Sequence, residues 1–253
     1  MRAGSVDEAI ALQNSTQFGS TGGIASLDER EVAGWERHVQ VGNAYVNRQI
    51  TGAIVRRQPF GGWKRSSIGS GAKAGGPIYV ASFGWWWREP WNFDLAVELD
   101  VACLAAGSFV RGIDDSGMAA ERNRLRLRPL GRAVLRLGTV PDTQALELSL
   151  RVASQLEVHI ELSAPPEVCE QLARPSREES DEELLRRMRV ERPDRVRLAG
   201  CVPDLRLALL DAGCEVDIEP LVALGPYEMS RWSHEQAIST TQHRHGNVMR
   251  STA

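Results

Sequence analysis

Apolar residues recur with the period of a helix near the N-terminus and alternate like strands on either side of it. Val32, Trp35 and Val39 fall on one face of a helix. We predict that this helix ends at Gly42, a natural left-handed stop. The runs TGGIAS and NAYVN, before and after it, alternate like short strands. Two pairs with the spacing of a capping box predict the helix starts of this part, namely Ser5 with Glu8 and Ser26 with Glu29.

A regular alternation of strands and helices fills the second half of the chain. Val158, Ile160 and Leu162 lie on one face of a strand, and a helix follows a capping box formed by Ser180 and Glu183. Strands that alternate with helices imply right-handed crossovers and a mostly parallel sheet, so the predicted fold class is α/β with a Rossmann-like layer. The other predicted elements are strands 133–137, RVRLAG and EVDIEP and helices 142–156 and DLRLALLDAG.

No glycine-rich phosphate turn follows any of these predicted strands. A dinucleotide needs such a turn because the backbone must approach its pyrophosphate at a helix N-terminus. The run GSGAKA, residues 69–74, fits the G-x-G-x-x-A pattern, but Gly75, Gly76 and Pro77 follow it in place of a helix. We therefore expect the second half to have the shape of a nucleotide-binding fold without binding a nucleotide.

The overall composition limits the classes of partner. Of the 253 residues, 42% are hydrophobic and 25% are charged, and the formal net charge is -3 with both signs interspersed. Because no basic patch for nucleic acid is evident, we expect small molecules or proteins as partners. No apolar run approaches the roughly 20 residues that span a bilayer, and MRAGSVDEAI lacks the features of a secretory signal. We therefore expect no membrane partner and a cytoplasmic location.

Cysteines and histidines are poorly placed for a metal site. The cysteines are spread out without a CxxC pair, so we expect reduced thiols. His234, His243 and His245 come close in sequence, but no acidic or cysteine ligand completes the set, and we expect no metal. The cysteines are Cys103, Cys169, Cys201 and Cys214.

The glycine-rich loop from Thr51 to Pro77 permits two interpretations. Its TGA run can turn backbone N–H groups toward an anion, and QPFGG can hold Phe60 as one wall of a pocket. A tight structural turn with Phe60 in the core explains the same residues equally well. Arg56 and Arg57 either add positive field to an anion site or are solvated surface residues, of which we favour the second.

A fixed order of longer motifs resembles a known family. GNAYVNR, TGAIV, QPFGGWK and KAGGP, within about residues 4–80, resemble the C-terminal part of the catalytic domain of 1-pyrroline-5-carboxylate (L-glutamate γ-semialdehyde) dehydrogenases of the aldehyde dehydrogenase superfamily. Residues 121–131 and 228–248 resemble the opening and closing motifs of the C-terminal domain in long proline utilization A proteins. In that family this domain is a degenerate aldehyde dehydrogenase-like Rossmann unit that binds no cofactor.

The resemblance implies an activity of proline catabolism and a substrate site. Members of the family oxidise glutamate γ-semialdehyde with NAD: a cysteine thiolate attacks the aldehyde, a hydride leaves to the nicotinamide, and water hydrolyses the thioester. The loop 51–60 is similar to the family's aldehyde anchor. By that similarity, backbone N–H groups of Gly52 and Ala53 hold the substrate α-carboxylate, and Phe60 lines the path of the aldehyde.

Other family features have no counterpart in this sequence. The nucleophilic cysteine, the NAD-binding domain and the general-base glutamate precede the anchor loop in the family, and none of the cysteines here lies in the nucleophile motif. We therefore expect no catalytic residue, no NAD binding and no turnover from this chain alone. The resemblance divides it into a catalytic-domain remnant (1–84), a connector (85–120) and a degenerate C-terminal domain (121–253).

Three roles are compatible with these observations. The chain is part of a glutamate-semialdehyde dehydrogenase that needs an upstream catalytic segment, a non-catalytic oligomerisation or cavity-sealing module, or the product of a decayed gene. The first predicts a partner with the cysteine motif, and the second a homo-oligomer. Met229 and Trp232, at helical spacing, indicate that the tail docks on its own fold or on a neighbouring subunit.

Overall fold

A computed structural model describes residues 2–55, 57–67, 71–76, 78–84, 86, 94–200, 203–244 and 247–248. The helices are α1 (Val6–Asn14), α2 (Glu29–His38), α3 (Leu95–Arg111), α4 (Thr143–Gln155), α5 (Pro166–Cys169), α6 (Asp181–Glu191), α7 (Pro203–Asp211) and α8 (Gly225–Arg231), with a 3-10 turn at Val80–Phe83. The strands are β1 (Phe18–Gly19), β2 (Thr21–Ile24), β3 (Asn43–Val46), β4 (Trp63–Lys64), β5 (Glu121–Pro129), β6 (Arg132–Leu137), β7 (His159–Ala164), β8 (Arg177–Glu178), β9 (Arg195–Ala199), β10 (Val216–Asp217), β11 (Ser233–Thr241), β12 (His243–Arg244) and β13 (Asn247–Val248).

The chain folds into two compact units, each built from separate stretches of sequence. The first comprises Met1–Phe83, Arg111–Leu127 and Glu235–Ala253, and the second Gly84–Val110 and Arg128–His234. This division by contacts differs from the consecutive ranges predicted from the sequence, because the chain leaves and re-enters each unit. The family domains assigned to those ranges stay a prediction.

The first unit contains a sheet in the order β2-β3-β11-β5. Strands β2 and β11 both run parallel to β3, with Thr21 and Ala237 opposite Asn43. The predicted strands at TGGIAS and NAYVN are confirmed as β2 and β3. The third strand, β11, comes from the polar tail, whose residues Ala237 and Ile238 are buried. The tail therefore docks on its own fold as a strand of the sheet.

Helix α2 covers this sheet, although its predicted ends were wrong. Trp35 and Val39 are buried, with Val32 packed against the same cluster, as the helical spacing predicted. The capping residue is Asp28, whose side chain accepts from the amide of Arg30, and not Ser26. The helix stops at His38, and Val39 is already extended. Asp28 is a better cap than Ser26 because its carboxylate binds a free amide of the first turn and its negative charge also complements the helix dipole.

Gly42 is required for close approach and not for a left-handed turn. Its φ is not positive, so the predicted helix stop at this residue was wrong. A Cβ at Gly42 would lie 1.8 Å from the carbonyl oxygen of Gly61. The strand that leaves α2 therefore passes directly against the backbone of the glycine-rich loop, at a distance that only glycine permits.

The second unit is the predicted parallel α/β layer. Its sheet has the order β10-β9-β6-β7-β8, and every pair is parallel. In chain order this is 3-2-1-4-5 read from β8, the arrangement of the doubly wound Rossmann fold. Helix α6 begins with the predicted capping box, since Ser180 and Glu183 bind each other's backbone amides. The connector contains the helix α3, which contributes the buried Glu98 and Ala102.

Buried arginines of the second unit are neutralised by carboxylates. Arg197 on β9 binds both carboxylate oxygens of Glu228 at 2.5 and 2.9 Å, with both side chains fully buried. Arg231 binds Asp217 through two nitrogens at 2.8 and 2.7 Å, and Arg195 pairs with Glu215. Each pair satisfies charges that burial would otherwise make costly.

These pairs predict loss of stability in acid. Burial would raise the pKa of Asp217, but the charge of Arg231 outweighs this and lowers the pKa to about 2. Burial would likewise raise the pKa of Glu215, but Arg195 and His234 lower it to about 2. A carboxylate whose pKa is lower in the folded state stabilises the fold fully above its unfolded pKa near 4. This contribution is lost as the pH falls through the folded pKa of about 2. We expect each to remove about 2 kcal/mol of unfolding free energy between pH 4.5 and 2.

Urea titrations at several pH values measure the slope of the unfolding free energy against pH. Asp217→Asn should flatten it, whereas Asp211→Asn, at the exposed end of α7, should not. An unchanged slope in Asp217→Asn contradicts the assignment.

No helix within the described part of the chain is long and apolar enough to cross a membrane.

Candidate functional site

The TGA run of the glycine-rich loop presents two exposed backbone amides. Gly52 has a φ of +84°, and the space where its Cβ would be is open to 4 Å. Within the described residues, the N–H groups of Gly52 and Ala53 donate to no acceptor. Both residues are exposed. Adjacent exposed amides next to a positive φ form the kind of concave donor pair that binds an anion.

Tyr45 fixes this end of the loop from β3. Its ring is buried, and its hydroxyl donates to the carbonyl oxygen of Gly52 at 2.9 Å. Burial raises the pKa of Tyr45, so the phenol stays a donor. The guanidinium of Arg48 lies 5.6 Å from the centre of the same ring. Since the Gly52 carbonyl is bound from inside the unit, its peptide plane is held while the amides remain outside.

Gln58 holds the loop from the other end. It is 2% exposed, and its side-chain Oε1 accepts from the backbone amide of Ile54 at 3.1 Å. The backbone amide of Gln58 donates to the Ile54 carbonyl at 2.9 Å. Its Nε2 donates to Asn123 on β5 at 2.9 Å and lies 3.3 Å from Ser239 on β11. A single buried amide therefore connects the loop to two strands of the sheet.

Arg48 extends the same polar network. Its Nη1 donates to the Ser239 hydroxyl at 2.5 Å and lies 3.2 Å from a carboxylate oxygen of Glu121. The Ser239 hydroxyl in turn donates to Asn123 at 2.6 Å. Because Glu121 balances its charge, the arginine contributes to the base of the loop as a hydrogen-bond donor that connects Ser239 with Glu121.

Phe60 lies at the far end of the loop with its side chain 45% exposed. The interpretation that placed this ring in the core is therefore wrong. Its backbone pairs with Ala74 in both directions, at 3.0 and 2.9 Å. An exposed ring on a paired backbone is available to contact a small molecule, so a pocket wall at Phe60 stays a prediction.

Several other predicted features lie partly outside the described residues. Arg56 and part of GSGAKA, at residues 69–70, belong to this group, as do Cys201 and His245. Among the described residues, no group of three His, Cys, Asp or Glu side chains is arranged to hold a metal ion. His234 contacts Glu215 at 3.0 Å instead.

The second unit lacks a free helix N-terminus at the place where a Rossmann fold binds phosphate. The first strand of the sheet, β6, leads into α4, and the side chain of Asp142 accepts from the amide of Ala145 at 2.9 Å. This carboxylate occupies one of the first-turn amides of α4 and would repel the charge of a pyrophosphate there.

Comparison with known proteins finds similarity in the first unit and along the whole chain. The sequence profile of the aldehyde dehydrogenase family matches residues 1–83. Two similar curated proteins are 1-pyrroline-5-carboxylate dehydrogenase 1 of Halalkalibacterium halodurans, 42% identical over 80 residues, and 1-pyrroline-5-carboxylate dehydrogenase 2 of Bacillus subtilis, 44% identical over 75 residues.

These matches cover only part of each relative. The aligned aldehyde dehydrogenase segment is 32% and 30% of this chain and spans 15% and 14% of the two relatives. The structure of Proline Utilization A (PutA) from Corynebacterium freiburgense matches 98% of this chain and 25% of its own length, with a TM-score of 0.73 and 36% identity. The similarity therefore extends through both units.

The sequence interpretation missed the residues that support the loop. Gln58, Asn43 and Lys73 lie inside the motifs QPFGG, GNAYVNR and KAGGP, but no role was predicted for their side chains. Polar residues that are buried beside a glycine-rich loop signal such a role, yet burial is not readable from a loop sequence. The predicted Gly52, Ala53 and Phe60 lie on one loop, which these side chains hold at separate points.

Proposed function

We propose that this chain supplies the substrate-carboxylate loop of an NAD-dependent L-glutamate γ-semialdehyde dehydrogenase of proline catabolism. The observation that carries the proposal is the pair of exposed amides at Gly52 and Ala53, which donate to no acceptor in the described part of the chain and are held from below by Tyr45 and Gln58. The aldehyde dehydrogenase match and the names of the relatives support the reaction class. The α-carboxylate of the substrate accepts from the two amides, and the Phe60 ring borders the chain that ends in the aldehyde.

Glycine is useful at this point because the ligand binds the backbone itself. Charge-assisted hydrogen bonds to a carboxylate are stronger than neutral ones, but they require close approach to the N–H groups. Gly52 provides both the open space and the positive φ. A carboxylate held here orients the opposite end of the substrate toward a nucleophile, which is the positional contribution of the loop to catalysis.

We further propose that the nucleophile and the NAD site come from other residues, in a longer chain or a second polypeptide. A thiolate nucleophile needs surroundings that lower its pKa, whereas burial raises the pKa of Cys214. Cys103 is exposed on α3, and Cys169 contacts the carbonyl of Ala164 at 3.4 Å. Asp142 at the start of α4 disfavours NAD in the second unit.

Complementation tests this function. NADH production from glutamate γ-semialdehyde is measured with the purified chain alone, with a separately expressed aldehyde dehydrogenase segment that carries the cysteine motif and NAD domain, and with the mixture. We expect activity only in the mixture. Activity of the chain alone would contradict the origin assigned to the nucleophile. Inactivity of a mixture whose parts are both folded would favour the alternative, a non-catalytic oligomerisation or cavity-sealing module.

Loss of one amide donor predicts weaker carboxylate binding. Ala53→Pro removes the N–H at this position, whereas Ala53→Ser keeps it and serves as the matched control. A hydrogen bond to a charged group contributes about 1.5–3 kcal/mol, so we expect Ala53→Pro to weaken glutamate binding at least about tenfold. Titration of glutamate followed by amide chemical shifts of the loop measures this. Equal affinity of the two variants would exclude the amide of Ala53 as a ligand.

A further inference from the structure

Lys73 is a buried lysine for which the proposed reaction has no use. Its side chain is fully buried, and its Nζ donates to Asn43 at 3.1 Å and to the carbonyl oxygen of Gly61 at 2.5 Å. Its backbone amide donates to Glu235 on β11 at 2.9 Å. Within the described part of the chain, the Nζ hydrogen-bonds only neutral oxygens, and a lysine buried in this way is costly, so a compensating role is expected.

Asn43, at the start of β3, is the second half of this arrangement. It is fully buried, its Nδ2 donates to the carbonyl of Pro59 at 3.0 Å, and its Oδ1 accepts from the amide of Gly61 at 3.2 Å. The two residues that flank Phe60 are thereby held by one side chain. The amide group of Asn43 is oriented in turn by the Nζ of Lys73.

Together these contacts satisfy the whole backbone around Phe60. The Pro59 carbonyl and the Gly61 amide bind Asn43, the Gly61 carbonyl binds Lys73, and the amide and carbonyl of Phe60 bind Ala74. Every backbone donor and acceptor of residues 59–61 is therefore paired, while the Phe60 ring projects with 45% exposure. A structural turn does not need an exposed aromatic ring on a fully paired backbone.

We infer that Lys73 and Asn43 are positioning residues that fix the Phe60 ring for the substrate. This inference rests on the proposed function, in which Phe60 borders the substrate. Lys73 acts through Asn43 and the Gly61 carbonyl and does not touch the ligand itself. Loss of the lysine therefore loosens residues 59–61 while leaving the sheet of the first unit intact.

Protonation of Lys73 gives a signature that general packing would not give. Burial lowers the pKa of Lys73 to about 7, and the charge of Glu235 opposes this; Asn43 and Gly61, which also pack against it, are uncharged. Opening of the loop exposes the amine to water, where it takes up a proton. Above pH 7 the opening equilibrium constant should therefore fall about tenfold per pH unit.

Hydrogen exchange of the full chain without ligand tests the inference. We expect Lys73→Met to raise exchange of the Phe60 and Gly61 amides about tenfold or more and to change that of the β3 amides less than about threefold. The substitution should also abolish the dependence of the opening equilibrium constant on pH. Lys64→Met is the matched control, because Lys64 binds the carbonyls of Asn14 and Thr16 at 2.6 and 3.1 Å and should not affect Phe60.

Unchanged exchange at Phe60 and Gly61, an equal rise in β3, or a slope that persists in Lys73→Met would overturn the inference. Asn43→Ser, which removes both bonds to the flanking residues, provides the same measurement should the lysine variant fail to fold. Loss of protection confined to residues 60–61 supports the positioning role, and loss throughout the unit contradicts it. Because no ligand is present, this result is independent of whether glutamate binds.

Discussion

Glu228→Gln is expected to lower the free energy of unfolding of the second unit by about 3–5 kcal/mol. The change keeps the shape of the side chain but removes the charge that balances the fully buried Arg197. Ser149 and the amide of Val222 also donate to the Glu228 carboxylate, at 2.5 and 3.0 Å, so the substitution disrupts several bonds at once. Among the described residues, the buried guanidinium then keeps only Asp217, 4.0 Å away and already bound by Arg231, to balance its charge.

Urea denaturation followed by circular dichroism measures this loss. Glu182→Gln is the matched control, because Glu182 is exposed on α6 and its change should cost less than about 0.5 kcal/mol. A loss below about 1 kcal/mol for Glu228→Gln would show that the pair is not the main support of β9. Since domains of this size are stabilised by only about 5–15 kcal/mol, the expected loss is a large part of the total.

Gly42→Ala should destabilise the first unit by about 3 kcal/mol, the upper part of the range for overpacking. The new Cβ would lie 1.8 Å from the Gly61 carbonyl oxygen and 2.9 Å from the Cα of Gly62. Gly42 cannot move away, because its amide donates to Gly19 and its carbonyl accepts from Ala237, each at 2.9 Å. The displacement must therefore fall on the loop that carries Phe60.

The same substitution at another glycine of this unit provides the control. Gly34 lies within α2, and nothing would lie within 4 Å of a Cβ there. Gly34→Ala should raise stability by roughly 0.5–1 kcal/mol through helix propensity. Thermal unfolding of both variants measures effects of opposite sign, and a loss in Gly34→Ala as large as in Gly42→Ala would contradict the close-approach argument.

Local sequence signals predicted the elements of this chain better than their assembly. The parallel layer followed from strands and helices in regular alternation, and the capping box at Ser180 marked the start of α6. Gly42 was misassigned because a glycine after a helix indicates a left-handed stop unless the opposing backbone is known. The strand β11 was missed because its partner, β3, lies far away in the sequence, with Ala237 opposite Asn43.

The candidate site shows the same limit. The TGA and QPFGG runs identified Gly52, Ala53 and Phe60, since glycine and an isolated aromatic ring are visible in the letters alone. Whether Phe60 was buried or exposed stayed open, and the structure decided it. The supports Gln58, Asn43 and Lys73 depend on burial and on partners distant in sequence, which no local pattern encodes.

The position of β11 also determines the order in which the first unit is completed during synthesis. β3 is made early, yet the strand on one of its sides consists of Ala237–Thr240. Until the ribosome has released these residues, the Asn43–Val46 edge has no native partner on that side and is open to pairing with other chains. Growing chains that end before residue 237 should therefore depend on chaperones far more than the finished protein does.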